Sequence, residues 1–385
     1  MTNYVLWLVS WYPGKTDPFN GDFIERHARA VAAFTSVVII FVAKDNSLKK
    51  GSFVIVKEKT GNLTVCRGYY GPSRFPLSEK IYSSLRYFFL QKKIFAQIKK
   101  ERGLPDLVHV HIAFKAGVFA RYLKLKYRIQ YVITEHWTGY YKKSPNSIFK
   151  AGLFPKQLTK WVLKEGSLLL PVAHKLGETV NQLTPVKYKV IPNVVDTDLF
   201  FYKPSVLQKT RFIHPSTMSY VKNPDGILRA AIELHREGYE FELLMVGGVS
   251  DPLLELARKS GGLDQYLFFK KELLYTQVAI EMQNSSALIL FSRFENLPCV
   301  ILEALCCGLP VISTDVGGIK EVINETNGFL IQSENELELK NAIKEMIENG
   351  HLFDREKIAR ESSEKFKYST IGKQIFDVYN LLLKG

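Results

Sequence analysis

Cysteine is scarce in this chain. Cys66, Cys299, Cys306 and Cys307 are the four present in 385 residues. They offer neither a disulfide framework nor a metal-ligand spacing, and they fit a reducing cytoplasm. Long apolar runs are missing as well: no stretch approaches the roughly 18 to 20 residues of a membrane-spanning helix. The opening MTNYVLWLVSWYPG has no basic residue ahead of its short apolar run, so it reads as a first strand and not as a signal peptide. After that strand stands Trp11-Tyr12-Pro13-Gly14, where a dinucleotide oxidoreductase would carry G-x-G-x-x-G. Repeats and low-complexity segments are absent. Acidic residues are thin at the start. Residues 1–180 hold 29 Lys/Arg and 11 Asp/Glu, a net +18, whereas residues 181–385 hold 23 and 27, a net −4. Such an excess calls for an anionic partner, whether a membrane surface, an acidic substrate or nucleic acid. No nucleic-acid module accompanies the charge, so nucleic acid is not expected.

What is present is ordinary for a globular protein: 46% hydrophobic and 23% charged residues. The length suits two domains, each able to form a core. Tyr4–Val9, then a helical pattern from Phe23 to Phe34 with Ile24, His27, Ala28 and Val31 on one face, then Val37–Val42 read as strand, helix, strand. That order argues for a parallel, Rossmann-like sheet. Two further strands are expected between residues 51 and 70. Leu77–Lys100 is a long helical pattern mixing aromatic and basic side chains. It can lie in a membrane interface or pack on the core with a basic solvent face, the commoner arrangement. Leu107–Ile112 puts His109 and His111 on one face of a strand, but no third metal ligand is evident. Val132–Trp137 ends in Glu135-His136, and His136 stands at the carboxyl end of a parallel strand, where ligands bind in open α/β sheets. Leu168–Val172 closes the first sheet.

The second half opens with a strand at Phe212–His214. Helix Pro224–Glu237, strands Glu242–Val246 and Leu267–Phe269, and charged helices from 334 to 385 follow. Its most informative segment is Ser292–Ile323. A buried strand, Ala287–Phe291, stops at a polar loop holding Glu295. Pro298 suits the first turn of a helix running to Cys307, with Gly308 as its left-handed cap. Glu303 is the helix's lone charge, and a carboxylate among apolar neighbours needs a partner. Strand 311–313 leads to Gly317-Gly318 and to Glu321 at the start of another helix. Two glutamates and helix-start amides suit a polyol joined to a phosphate: the amides hold the anion and the carboxylates accept from hydroxyls. Taken singly, Glu295 is equally a solvated loop acid and Glu303 a surface residue.

The composite resembles the donor-site signature of the family-4 retaining glycosyltransferases, E-x7-E followed by P-V-[IV]-x-[ST]-x-x-G-G-x-x-E. Glu295, Glu303, Pro310, Val311, Ile312, Thr314, Gly317, Gly318 and Glu321 match it. Val190–Asp196 is similar to the family's I-P-N-G-V-D linker, with Val194 in place of glycine. Asp196-Thr197-Asp198 within it is formally D-x-D and is read as structural, with no metal required. The resemblance implies an α/β GT-B fold, two Rossmann-like domains facing across a cleft with the last helix crossing back. Residues 1–180 would bind the acceptor, 181–370 the nucleotide sugar, and 371–385 would form that last helix.

The implied reaction is metal-independent, retaining transfer of a hexose-type sugar from a UDP- or GDP-linked donor to a glycan. The acceptor is expected to be lipid-linked and the product a cell-surface polysaccharide, with no cofactor beyond the donor. The enzyme would be cytoplasmic and peripheral on the inner, anionic face of the membrane. By the resemblance, Lys222 offsets the donor diphosphate, Glu303 takes the ribose hydroxyls and Glu295 the sugar hydroxyls, with His136 completing the catalytic set. Asn296, Leu297, Gly317, Gly318 and Glu321 are donor-binding. The family's arginine five residues before the lysine is Thr217 here, so Arg293 or helix-end amides would replace it. Gly21, Asp22 and His111 fall on the acceptor side, although Gly21-Asp22 reads equally as a simple turn. The alternative is a GT-B-fold sugar-nucleotide epimerase, which would share the donor contacts.

Overall fold

β-Branched and aromatic runs become strands, and in each half of the chain they alternate with helices that lay an apolar face on a sheet. The computed structural model describes residues 3–73, 79–204 and 208–384. The chain forms two compact units, Met1–Val194 with Tyr368–Gly385, and Val195–Lys367. The crossings thus follow Val194 and Lys367, whereas the sequence reading divides the chain at 180/181 and 370/371. The difference has a plain cause. After helix α5 (His174–Leu183) the chain still lies along the first sheet, where Ile191 and Val194 are core residues.

In the first unit, β1 (Val5–Val9), β2 (Val37–Lys44), β3 (Phe53–Thr60), β4 (Leu63–Tyr70), β5 (Leu107–His111), β6 (Tyr131–Glu135) and β7 (Leu168–Pro171) form one sheet in the order β3-β4-β2-β1-β5-β6-β7. All neighbours are parallel except β3, which joins β4 as an antiparallel edge. Every residue of β1 and β5 is buried, as expected of central strands covered on both faces. The covering helices are α1 (Asp22–Ala32), α2 (Glu79–Arg102), α3 (Ala116–Tyr127) and α4 (Leu153–Glu165), with α12 (Tyr368–Lys384) joining from the end of the chain. The expected start of α2 at Leu77 lies outside the described residues. Ile371, Ile375, Val378 and Tyr379 of α12 pack with Ile24, Ala28 and Val31 of α1 in the first core. Burying side chains of this size contributes about 1.5–3 kcal/mol each.

The second unit is a wholly parallel six-stranded sheet. Its strands are β8 (Arg211–Pro215), β9 (Glu242–Val246), β10 (Leu267–Lys270), β11 (Ala287–Leu290), β12 (Val311–Thr314) and β13 (Gly328–Ile331), in the order β10-β9-β8-β11-β12-β13. Helices α6 (Pro224–Arg236), α7 (Asp251–Lys259), α8 (Tyr275–Gln283), α9 (Cys299–Cys306), α10 (Glu336–Asn349) and α11 (Arg355–Phe366) flank it. Pro298 is the N-cap of α9 and not a first-turn residue. The helix expected at Glu321 is a single 3-10 turn, Ile319–Glu321. Among the described residues, no helix is long and apolar enough to cross a membrane.

Strand order reverses beside β1 in the first sheet and beside β8 in the second. In open α/β sheets ligands bind outside the carboxyl ends of the strands at such switch points. In the second unit the loops concerned follow β8 and β11, and they carry Lys222 and Glu295.

Candidate active site

The loop after β8 is held from below by a buried histidine. Burial and the nearby Lys222 charge lower the His214 pKa to about 4, so the ring is neutral. Its Nδ1 lies 2.9 Å from the Ile289 carbonyl and its Nε2 2.8 Å from Ser216 Oγ. A carbonyl only accepts, so Nδ1 carries the proton and Nε2 accepts from the Ser216 hydroxyl. Ser216 Oγ in turn accepts from the Met218 amide at 3.0 Å. A 3-10 turn, Tyr220–Lys222, then brings Lys222 toward the loop after β11.

There the Lys222 ammonium donates to Glu295 Oε1 at 2.5 Å. The Ser292 hydroxyl donates to the same oxygen at 2.8 Å. Thr314 Oγ1 bonds the Ser292 carbonyl at 2.7 Å, which ties the loop to the end of β12. Glu295 is therefore a buried, partnered carboxylate and not a solvated loop acid: 8% of it is exposed. Glu303 is 4% exposed and takes its partner from outside its own helix, the Tyr275 hydroxyl at 2.7 Å, from the first residue of α8. Tyr275 packs edge-on to Phe200 at 5.5 Å.

The glycine pair divides its work. Gly317 holds φ +61, and a Cβ there would stand 2.0 Å from the Glu295 carbonyl oxygen. Only glycine fits against that backbone. Gly318 donates its amide to the Asn296 carbonyl at 2.7 Å, so this amide locks the loop and is not left over for a ligand, contrary to the sequence expectation for the pair. Asn296 and Leu297 are both buried, 6% and 4% exposed. Arg293 lies against the turn that carries Lys222. Its guanidinium donates to the Tyr220 carbonyl at 2.5 Å and to Glu334 at 2.8 Å, and lies 4.1 Å over the Tyr220 ring. Thr217, at the position of the family's arginine, bonds Ser219 Oγ. Glu321 lines a cavity with Asn327, Phe353 and Lys357, and that lining includes neither Glu295, Glu303 nor Lys222.

In the first unit a cluster of imidazoles sits at the ends of β5 and β6. His111 Nδ1 lies 3.4 Å from His136 Nε2, Trp7 stacks on His111 at 4.2 Å, and His27 crosses His136 edge-on at 5.5 Å. Burial pushes His109, His111 and His136 well below the usual histidine range, and His27 to about 4. The cluster is neutral and tightly packed. His109 is held by Tyr379 and Thr134 at 2.5 and 2.7 Å, which makes it a core residue. The backbone at His136 is fixed by its neighbour. Buried Glu135 accepts from the amides of Ala113, His136 and Trp137, each at 3.0 Å, and from the Tyr140 hydroxyl at 2.9 Å. Burial raises the Glu135 pKa, and those donors oppose the rise.

Gly21 is the left-handed N-cap of α1, φ +72, pressed against Trp11. Asp22 begins the helix and pairs with Arg26 at 3.1 Å. The packing under Trp11 explains the glycine fully, and the turn reading suffices for it. Among the described residues, no group of three or more His, Cys, Asp or Glu side chains is placed to hold a metal.

Two doubly wound sheets, the first parallel but for its β3 edge and the second parallel throughout with a cation and two partnered glutamates at its switch point, define a GT-B fold. Residues 26–199 match Glycosyltransferase Family 4 and residues 196–367 match Glycosyl transferases group 1. The chain belongs to the group 1 glycosyltransferases of the family-4 type. N-acetyl-alpha-D-glucosaminyl L-malate synthase of Bacillus anthracis is 28% identical over 255 residues, which span 62% of this chain and 64% of that relative. The putative teichuronic acid biosynthesis glycosyltransferase TuaC of Bacillus subtilis is 25% identical over 364 residues, 88% of each. Sucrose-phosphate synthase from Thermosynechococcus elongatus aligns over 99% of both chains, with a TM-score of 0.79 at 17% identity. Anabaena HepE, solved in complex with UDP, aligns over 98% of this chain and 99% of its own, with a TM-score of 0.72 at 17% identity.

Proposed function

We propose that this enzyme transfers a hexose-type sugar, with retention, from a UDP- or GDP-linked donor to a lipid-linked glycan in cell-surface polysaccharide synthesis. The observation that carries the reading is the meeting of Lys222 and Glu295 at the switch point of the second sheet. Lys222 exchanges Glu295 for the donor diphosphate and neutralises charge as the phosphate leaves. Glu295, released, accepts from hydroxyls of the sugar. Glu303, fixed by Tyr275, takes the ribose hydroxyls. Arg293 is the second cation, on the loop after β11 and against the turn that carries Lys222. His136, neutral, hydrogen-bonds a sugar hydroxyl. The departing phosphate oxygen accepts the proton of the attacking acceptor hydroxyl, so the scheme uses no metal and no protein nucleophile.

HepE is solved with UDP and with UDP-glucose, which favours UDP over GDP here. TuaC's name supports a surface-polysaccharide role, and the basic first half supports work at an anionic inner membrane face. A thermal-shift panel of UDP, GDP and their sugars identifies the donor, because a ligand that binds only the native state raises its melting temperature. Incubation of that donor without acceptor then separates transferase from epimerase: free epimer as sole product would sink the proposal.

A further inference from the structure

Beside the β2, β4 and β5 strand ends, the first unit holds a cavity of about 660 Å³ between α2, α3 and the start of α4. That volume lies within the ~300–1,000 Å³ of small-molecule sites. Its walls include Tyr87, Phe88, Phe114, Phe154 and Leu158. Against this apolar lining stands Gln91. It is wholly buried, and neither its amide nitrogen nor its amide oxygen has a hydrogen-bond partner among the described residues. A core amide in that state is costly. It is explained if the donor and the acceptor it offers belong to a ligand.

The surroundings say what kind of ligand. The helices forming the walls carry exposed large apolar side chains: Leu153 and Phe154 on α4, 88% and 75% exposed, and Ile81 and Leu85 on α2, 69% and 66% exposed. Ile81, Leu85 and Phe89 recur every four residues and so form one stripe. Lys115 lines the cavity, is exposed, and pairs with no carboxylate among the described residues.

Building on the lipid-linked reading above, we propose that this cavity seats the acceptor as a sugar phospholipid. The sugar ring lies between the aromatic walls with its hydroxyls on Gln91. The anionic linkage meets Lys115, and the hydrocarbon chain leaves over Phe154 and Leu153. The probe is glucose 1-(octyl phosphate), titrated into the full chain with glucose 1-phosphate and octyl glucoside as arms lacking the chain and the charge. The expected result is binding at least about tenfold tighter than either arm. Gln91→Leu, which removes the amide without opening a void, lowers the affinity about tenfold, and Phe154→Asp brings it down to that of glucose 1-phosphate. Both variants keep wild-type UDP affinity. Equal binding of all three probes, or binding unchanged in Gln91→Leu, overturns the proposal. Loss of UDP binding by the wild type would instead strike the transferase reading, so the two failures are told apart.

Discussion

Lys222 and Glu295 hold one another at 2.5 Å from two loops that topology alone brings together, one after β8 and one after β11. The pair is mostly shielded, with side chains 20% and 10% exposed. On the proposed function each is the other's stand-in: the ammonium would occupy a place for sugar hydroxyls, and the carboxylate a place for phosphate.

Removing one partner leaves the other partly buried and uncompensated. Lys222→Met should lower stability by about 1–3 kcal/mol, less than breaking a fully buried pair, and should weaken nucleotide binding at least about tenfold. Glu295→Gln should leave nucleotide affinity within about threefold and chiefly lower turnover. In the double variant the stability losses should be less than additive, which denaturant titration of the four proteins reads directly.

Tyr275→Phe tests whether Glu303 is held as described. The substitution removes one hydroxyl that donates to the carboxylate. Nucleotide affinity should fall about three- to tenfold, the worth of one ordinary hydrogen bond, since the lost hydroxyl acts on the carboxylate and not on the ligand itself, with turnover at saturation little changed. Unaltered affinity would detach Tyr275 from the site.

Gly317→Ala places a methyl group where the Glu295 carbonyl already lies and strains a backbone at φ +61. The strain alone is on the order of 1–3 kcal/mol. Melting temperature and nucleotide affinity should fall together, because the same loop carries both; a wild-type titration curve from this variant would contradict the packing.

The buried imidazoles predict a pH dependence of stability. His27 has a folded pKa of about 4 against an ordinary 6.5, so between those values the unfolded chain binds more protons. Stability therefore rises with pH through this window and is lost as pH falls below about 6.5. For His27 alone the loss at pH 5 is about 2 kcal/mol. His109, His111 and His136 act in the same direction, while Glu135, with its raised pKa, opposes them. Melting temperatures from pH 8 to pH 5 should drop steeply for the wild type and less steeply for His27→Gln.

The fold was legible because its strands are short, apolar and regularly separated by helices. The loop proposed to bind the donor was legible because Glu295, Glu303, Gly317 and Gly318 lie within one segment. What the sequence hid is contact across long separations. Tyr275 meets Glu303 from 28 residues away, and His214 supports Ser216 only once Ile289 is alongside. Neither pairing leaves a local pattern. Glu135 read as a strand end because its partners, Ala113 and Tyr140, are assembled by the sheet. Gly318's amide could be counted as available until Asn296 was found facing it, and Glu321's helix shrank to one turn because Val322 leaves helical geometry.

The central claim is that Glu303 and Lys222 of the second unit seat a nucleotide. Calorimetric titration of UDP into wild type and Glu303→Ala tests it most directly. The account predicts saturable binding by the wild type and at least about tenfold weaker binding by the variant, with both proteins melting cooperatively. Equal affinity in the two folded proteins would contradict it.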